Sequence, residues 1–109
     1  MWRSLAGAGA LVVRDNHVLM VYRERSGQVR WELPSGTVQA SEAFEETAAR
    51  ETCEETGVQI QIGALLCTVG MHVPAEAYRG INAYFHATVV NDALPLVAPA
   101  HPPTTRTQA

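Results

Sequence analysis

The chain has 109 residues, of which 47% are hydrophobic and 17% charged. That composition excludes a disordered or fibrous polymer and describes one globular domain with a real core. A formal net charge of −3 argues against a nucleic-acid polymer as partner, because such binders display a basic face.

In chain order, Arg3 and the run LAGAGALVV imitate the apolar core of a signal peptide. Arg14-Asp15-Asn16 interrupts that run, and a second one, HVLMVY, follows at once. The layout predicts a hairpin of residues 6–14 against 17–25 with Asp15-Asn16 at the turn. No run approaches the ~18–20 apolar residues of a membrane span, so no membrane partner is expected. Cys53 and Cys67 are too few for a disulfide framework and fit a reducing compartment. The expectation is a soluble, cytoplasmic protein.

Ser26-Gly27-Gln28 reads as a loop, and 31–33 as a short extended piece stopped by Pro34. Pro34-Ser35-Gly36 then turns the chain toward a helix. Ser41 is the expected N-cap, its hydroxyl free to accept from an orphan amide. The helix is predicted over about 42–56, with Gly57 in the left-handed conformation that ends it. Residues 58–69 read as a strand with a bulge at Gly63. Residues 81–90 read as another, with Ile81, Ala83, Phe85, Ala87 and Val89 on one face. Residues 91–109 hold four of the six prolines (Pro95, Pro99, Pro102, Pro103), which predicts an irregular tail behind a 1–90 domain.

The helix is written against its own electrostatics. Six of the eleven acidic residues (Glu42, Glu45, Glu46, Glu51, Glu54, Glu55) lie within 42–55. Glu51 and Glu55 are like charges at i,i+4, a spacing that costs roughly 0.2–0.5 kcal/mol. Glu54 and Glu55 stand at the end where the helix dipole is already negative. Phe44, Ala48, Glu51 and Glu55 share one narrow arc, with Thr47 and Glu54 at its edge, so one side begins apolar and ends acidic. Three carboxylates at a helix end offer hard oxygens to Mg²⁺, which keeps several waters and shares its shell with substrate phosphates. Glu45 and Glu46 fall to the solvated side.

The segment 36–58, GTVQASEAFEETAARETCEETGV, closely resembles the Nudix box, Gly-x5-Glu-x7-Arg-Glu-U-x-Glu-Glu-x-Gly-U, where U is a bulky aliphatic residue. Gly36, Glu42, Arg50, Glu51, Glu54, Glu55, Gly57 and Val58 match at the required spacing. The preceding Trp31-Glu32-Leu33-Pro34 is similar to the family's lead-in. The resemblance implies an α/β fold with a mixed sheet and a loop-helix-loop. It also implies hydrolysis of a diphosphate linkage in a small nucleoside diphosphate derivative, with Mg²⁺ or Mn²⁺. Glu51, Glu54 and Glu55 would then be metal ligands, Arg50 would orient the glutamates, and Glu51 or Glu54 would act as general base. Glu42 would support the loop or reach metal through water, and Gly36 would permit the sharp turn into the helix.

Two positions in the segment depart from the pattern. Thr52 takes an aliphatic position, and its hydroxyl is expected to bond the carbonyl four residues back. Ser35 stands where the family commonly has glycine, which would strain a left-handed backbone there. The tail departs further, since Nudix domains usually continue with another strand and a helix, and dimerisation could cover the face those would close. A weakly catalytic binding module is the competing reading. Pro74, sixteen residues past Val58, names ADP-ribose as an alternative substrate. Tyr22, Trp31, Tyr78, Tyr84 and Phe85 are read as core or sheet residues, and Arg23, Arg25 and Arg79 as solvated. His17, His72, His86 and His101 show no metal-ligand spacing.

Overall fold

Small residues set the middle of the molecule. A computed structural model describes residues 3–90 and 105–108; most of the expected tail lies outside that range. Strand β1 (Arg3–Arg14) carries the LAGAGA run and is crowded on both faces. Its Ala8, Ala10 and Val12 pair in parallel with Ala83, Phe85 and Ala87 of β7 (Tyr78–Val89), and all six are buried. Helix α1 (Phe44–Thr56) packs on this face through Thr47, Ala48 and Thr52, each fully buried. Gly7 and Gly9 pair with Asn82 and Tyr84 and so belong to the opposite face. There a Cβ at Gly9 would stand 2.5 Å from the Pro34 carbonyl oxygen and 2.7 Å from the Ser35 Cβ.

The predicted hairpin forms only at its turn. Asp15 and Asn16 take φ values of 52° and 62°, and β2 (His17–Val18) pairs with Arg14 and Val13. The pairing stops after Leu19 N bonds Val12 O, because the same edge of β1 is taken from Ala10 back to Gly7. Pro34 O accepts from Ala10 N at 3.1 Å, and β5 (Ser35–Thr37) pairs with Gly7–Gly9. Leu19 turns into the core, and β3 (Met20–Arg25) joins β4 (Gln28–Glu32) in a second sheet. Their turn is Ser26-Gly27, both with positive φ. Tyr22 and Trp31 form a cross-strand edge-to-face pair with ring centroids 5.0 Å apart.

Beyond the helix, β6 (Ile60–Val73) pairs antiparallel with β7. The expected bulge is present: the register moves from Ile62↔Ala87 to Leu65↔Phe85, with a further shift at Cys67↔Tyr84. Both strands run longer than expected, since a short 3₁₀ turn at Pro74–Glu76 closes them into one hairpin. The first sheet therefore reads β2-β1-β7-β6, with β5 also on β1. One segment of the expected tail lies within the described residues. β8 (Thr105–Gln108) pairs antiparallel with β3, in a stretch that holds no proline and two β-branched threonines. Among the described residues, α1 is the one α-helix, and no helix is long and apolar enough to cross a membrane.

Candidate active site at the acidic end of the helix

The helix starts two residues later than the sequence suggests. Its N-cap is Ala43, without a side-chain cap, and Ser41 sits at φ 75° in the preceding turn. Glu46 takes over part of the capping, accepting from Ala43 N at 2.8 Å, so it is not merely solvated. Glu42 is left outside the helix, where Arg50 claims it. The C-terminus follows expectation: Gly57 has φ 75°, and its N–H bonds Cys53 O at 2.8 Å. The Thr52 hydroxyl donates to Ala48 O at 2.7 Å, as its position inside the helix requires.

Burial redraws the helix face. Phe44 is 37% exposed and does not anchor the apolar end as expected. The inward row is instead Ala48, Glu51, Thr52 and Glu55, spaced i, i+3, i+4, i+7. Helix packing reserves that row for apolar residues. Yet the Glu51 and Glu55 side chains are only 17% and 12% exposed, whereas Glu54 is 57% exposed. Glutamates so placed oppose stability, since charged side chains are seldom this buried.

Two arginines hold the acids. Arg50 Nε and Nη2 grip the two Glu42 oxygens at 2.6 and 3.0 Å. Its Nη1 donates to Glu51 at 2.7 Å and to Glu54 at 3.2 Å, and Nη2 also reaches Thr37 O at 3.1 Å. Glu42 further accepts from Thr47 Oγ1 and Gln39 N. Arg50 thus touches Glu42, Glu51 and Glu54 at once. Among the described residues, no three His, Cys, Asp or Glu side chains are grouped so that they could hold an ion as they stand.

The second arginine is Arg23, which the sequence reading placed on the surface. Its side chain is only 14% exposed. Arg23 Nη2 donates to both Glu55 oxygens and to Ser35 O. The signal was available: Val21 is buried, and Arg23 follows it by two on β3, hence on the same face. Burial pushes the Glu55 carboxyl above the ordinary range; Arg23 opposes this, and the neighbouring Glu51 charge adds to it.

The loop before the helix differs from expectation in two places. Gly36 has no positive φ and lies in β5, so it does not serve a sharp turn. It is glycine because the Glu51 carboxyl rests against it, where an added Cβ would overlap the carboxyl carbon and both oxygens. Ser35 is likewise extended within β5 and unstrained.

Beside these acids opens a cleft of about 530 Å³, whose lining includes Arg23, Trp31, Gly36, Tyr78, Asn82 and Tyr84. Its size suits a small organic ligand. Pro74 is exposed in the 3₁₀ turn and is not among the cleft's lining residues.

The Arg50–Glu42 pair makes a prediction about acid. Hydrogen bonds, first from Arg50 and then from Gln39 N–H, hold the Glu42 carboxyl down at about 2 against an ordinary 4.5. A depressed folded-state value stabilises the fold above the ordinary value and loses that contribution as pH falls through the folded value. Glu42→Gln should therefore be less stable than the parent at pH 6, and the two should converge between pH 4.5 and about 2. Thermal melts across that window check this; a constant difference would refute it.

Comparison with known proteins gives one family. The chain is 35% identical over 86 residues to the putative 8-oxo-dGTP diphosphatase 2 of Mycobacterium tuberculosis, covering 77% of this chain and 60% of that protein. It is 33% identical over 83 residues to Nudix hydrolase 2 of Arabidopsis thaliana, covering 72% of this chain and 29% of that protein. The chain thus spans less than two thirds of these relatives. Among solved structures, the MutT Nudix hydrolase of Burkholderia pseudomallei aligns with TM-score 0.75 and 26% identity, over 98% of this chain and 80% of that one. The MutT protein of Methanosarcina mazei Go1 aligns with TM-score 0.71 and 27% identity, over 84% and 68%. The model of the NUDIX domain takes in residues 3–104, and on that span the chain belongs to the Nudix family.

Proposed function

We propose that this chain hydrolyses a diphosphate linkage in a nucleoside diphosphate derivative of the nucleoside triphosphate or nucleotide sugar type, with a divalent cation at Glu51, Glu54 and Glu55. The observation that carries this reading is the inward placement of Glu51 and Glu55 on a helix row that packing would fill with apolar side chains. Nudix hydrolases generally use divalent metals, and the donor set here fits one. It offers only carboxylate oxygens, at a helix end with no basic residue in its last turn, beside a glycine that leaves room for one of them. Bound there, Mg²⁺ or Mn²⁺ would offset the charge that develops on the phosphoryl oxygens.

The chain's own residues supply the rest. Arg50 fixes the rotamers of Glu51 and Glu54 through a guanidinium that is itself held by Glu42 and the Thr37 carbonyl. Glu51 or Glu54 takes a proton from the attacking water. The new bond is water oxygen to phosphorus, the bond broken is that phosphorus to the bridging oxygen, and the other phosphate leaves with that oxygen and the electron pair. The cleft lined by Trp31, Tyr78, Asn82 and Tyr84 seats the nucleoside end, where aromatic edges and one amide can meet a base. A relative described as an 8-oxo-dGTP diphosphatase supports a nucleoside triphosphate as the first substrate to try.

The test is phosphate release with Mg²⁺, read by malachite green after phosphatase coupling. The panel holds nucleoside triphosphates, 8-oxo-dGTP, nucleotide sugars and ADP-ribose. Turnover that stops on chelation is expected. A folded sample that turns over nothing but binds nucleotide would replace this reading with a binding module.

A further inference from the structure

Arg23 carries chemistry that neither the box nor the cleft explains. It donates through Nη2 to both oxygens of Glu55 and to the Ser35 carbonyl. Its Nε is buried with no hydrogen-bond partner, although a Glu32 carboxylate oxygen lies 3.6 Å away. One guanidinium therefore stands between two carboxylates, engaged with one and just beyond hydrogen-bond reach of the other. A buried polar nitrogen left in this way costs free energy that a small movement toward Glu32 would recover.

A cation at Glu55 and a guanidinium on both Glu55 oxygens cannot share those lone pairs. Resting on the metal-site reading above, we propose that Arg23 is an exchangeable counterion. It neutralises and orients Glu55 when no metal is held, and it shifts to Glu32 when a divalent ion takes its place. Glu32 is the alternative seat that makes the exchange inexpensive, because without it the displaced charge would be stranded in a half-buried position. Arg23 is thus a positioning residue for the metal face, acting through Glu55.

The sign of its effect separates this from a merely structural role. If Arg23 only propped Glu55 in place, its removal would weaken metal binding. If it competes for Glu55, removal strengthens binding. Free Mn²⁺ measured by electron paramagnetic resonance in nucleotide-free protein reads this without any turnover. Arg23→Met keeps the stem and removes the charge, and should bind Mn²⁺ roughly 5- to 50-fold more tightly than the parent, the scale of a two-site coupling. Glu32→Gln should bind it more weakly, and should have no such effect in the Arg23→Met background. In the unsubstituted protein, Mg²⁺ should shift the ¹⁵Nε–¹H signal of Arg23 as Nε gains its partner.

Equal or weaker Mn²⁺ affinity in Arg23→Met, or an unmoved Nε signal in protein that binds Mg²⁺, overturns the exchange while leaving the metal site standing. Parent protein that binds no Mn²⁺ overturns both readings.

Discussion

Glu55→Gln is expected to lower the rate of metal-supported hydrolysis by about a hundredfold or more, equivalent to ~2–3 kcal/mol of transition-state stabilisation. The same change should leave the melting temperature unchanged or higher. The sign follows from the raised Glu55 carboxyl: burial penalises its ionised form in the folded state. At neutral pH that charge opposes folding, and a neutral isostere relieves it. Arg23, which donates to Glu55 and Ser35, keeps its carbonyl acceptor and its proximity to Glu32. A side chain that costs stability but is required for turnover is a functional one. Steady-state rates at saturating Mg²⁺, set beside thermal melts, decide the matter. A variant within a few-fold of the parent would remove Glu55 from the metal face.

Gly36→Ala should be nearly as damaging, for a steric reason. The added methyl would stand within 2.5 Å of the carboxyl carbon and both oxygens of Glu51, so that carboxylate must leave its place against β5. The displaced atoms are the far end of a flexible side chain, so the fold itself should lose little stability. The larger effect should be on kcat, with a loss of roughly ten- to a hundredfold, because a small misplacement of a catalytic carboxylate is expensive. Binding of nucleotide in the cleft should suffer less, so kcat should fall more than KM rises. If kcat were unchanged in folded Gly36→Ala, the close approach of Gly36 and Glu51 would have no part in the reaction.

The mixed α/β fold and the position of the loop-helix-loop were legible in the sequence, while several contacts around them were not. The box fixed the acids, Arg50 and the end of the helix by their spacing, and Gly57 and Thr52 behave as local chemistry dictates. What failed depended on competition between distant segments. The first hairpin is cut short because Pro34 and β5 reach the same edge of β1, which no local pattern shows. Ser41 lost its capping role because Glu42 is held by an arginine eight residues on. Gly36 was assigned a turn, although its reason is a side chain fifteen positions away. Arg23 was within reach, since its alternation with Val21 points it inward. A charged residue on a strand is by default assigned to solvent, and that default prevailed. Glu55 supplied the reason for its burial, from the far side of the box.

On the proposed reading, the acidic end of α1 binds a divalent cation through Glu51, Glu54 and Glu55. Mn²⁺ titration of the parent beside the combined variant Glu51→Gln, Glu54→Gln, Glu55→Gln tests it most directly, with circular dichroism confirming that both are folded. The parent should hold Mn²⁺ and the folded triple variant should hold none. Equal binding by the two would contradict the assignment.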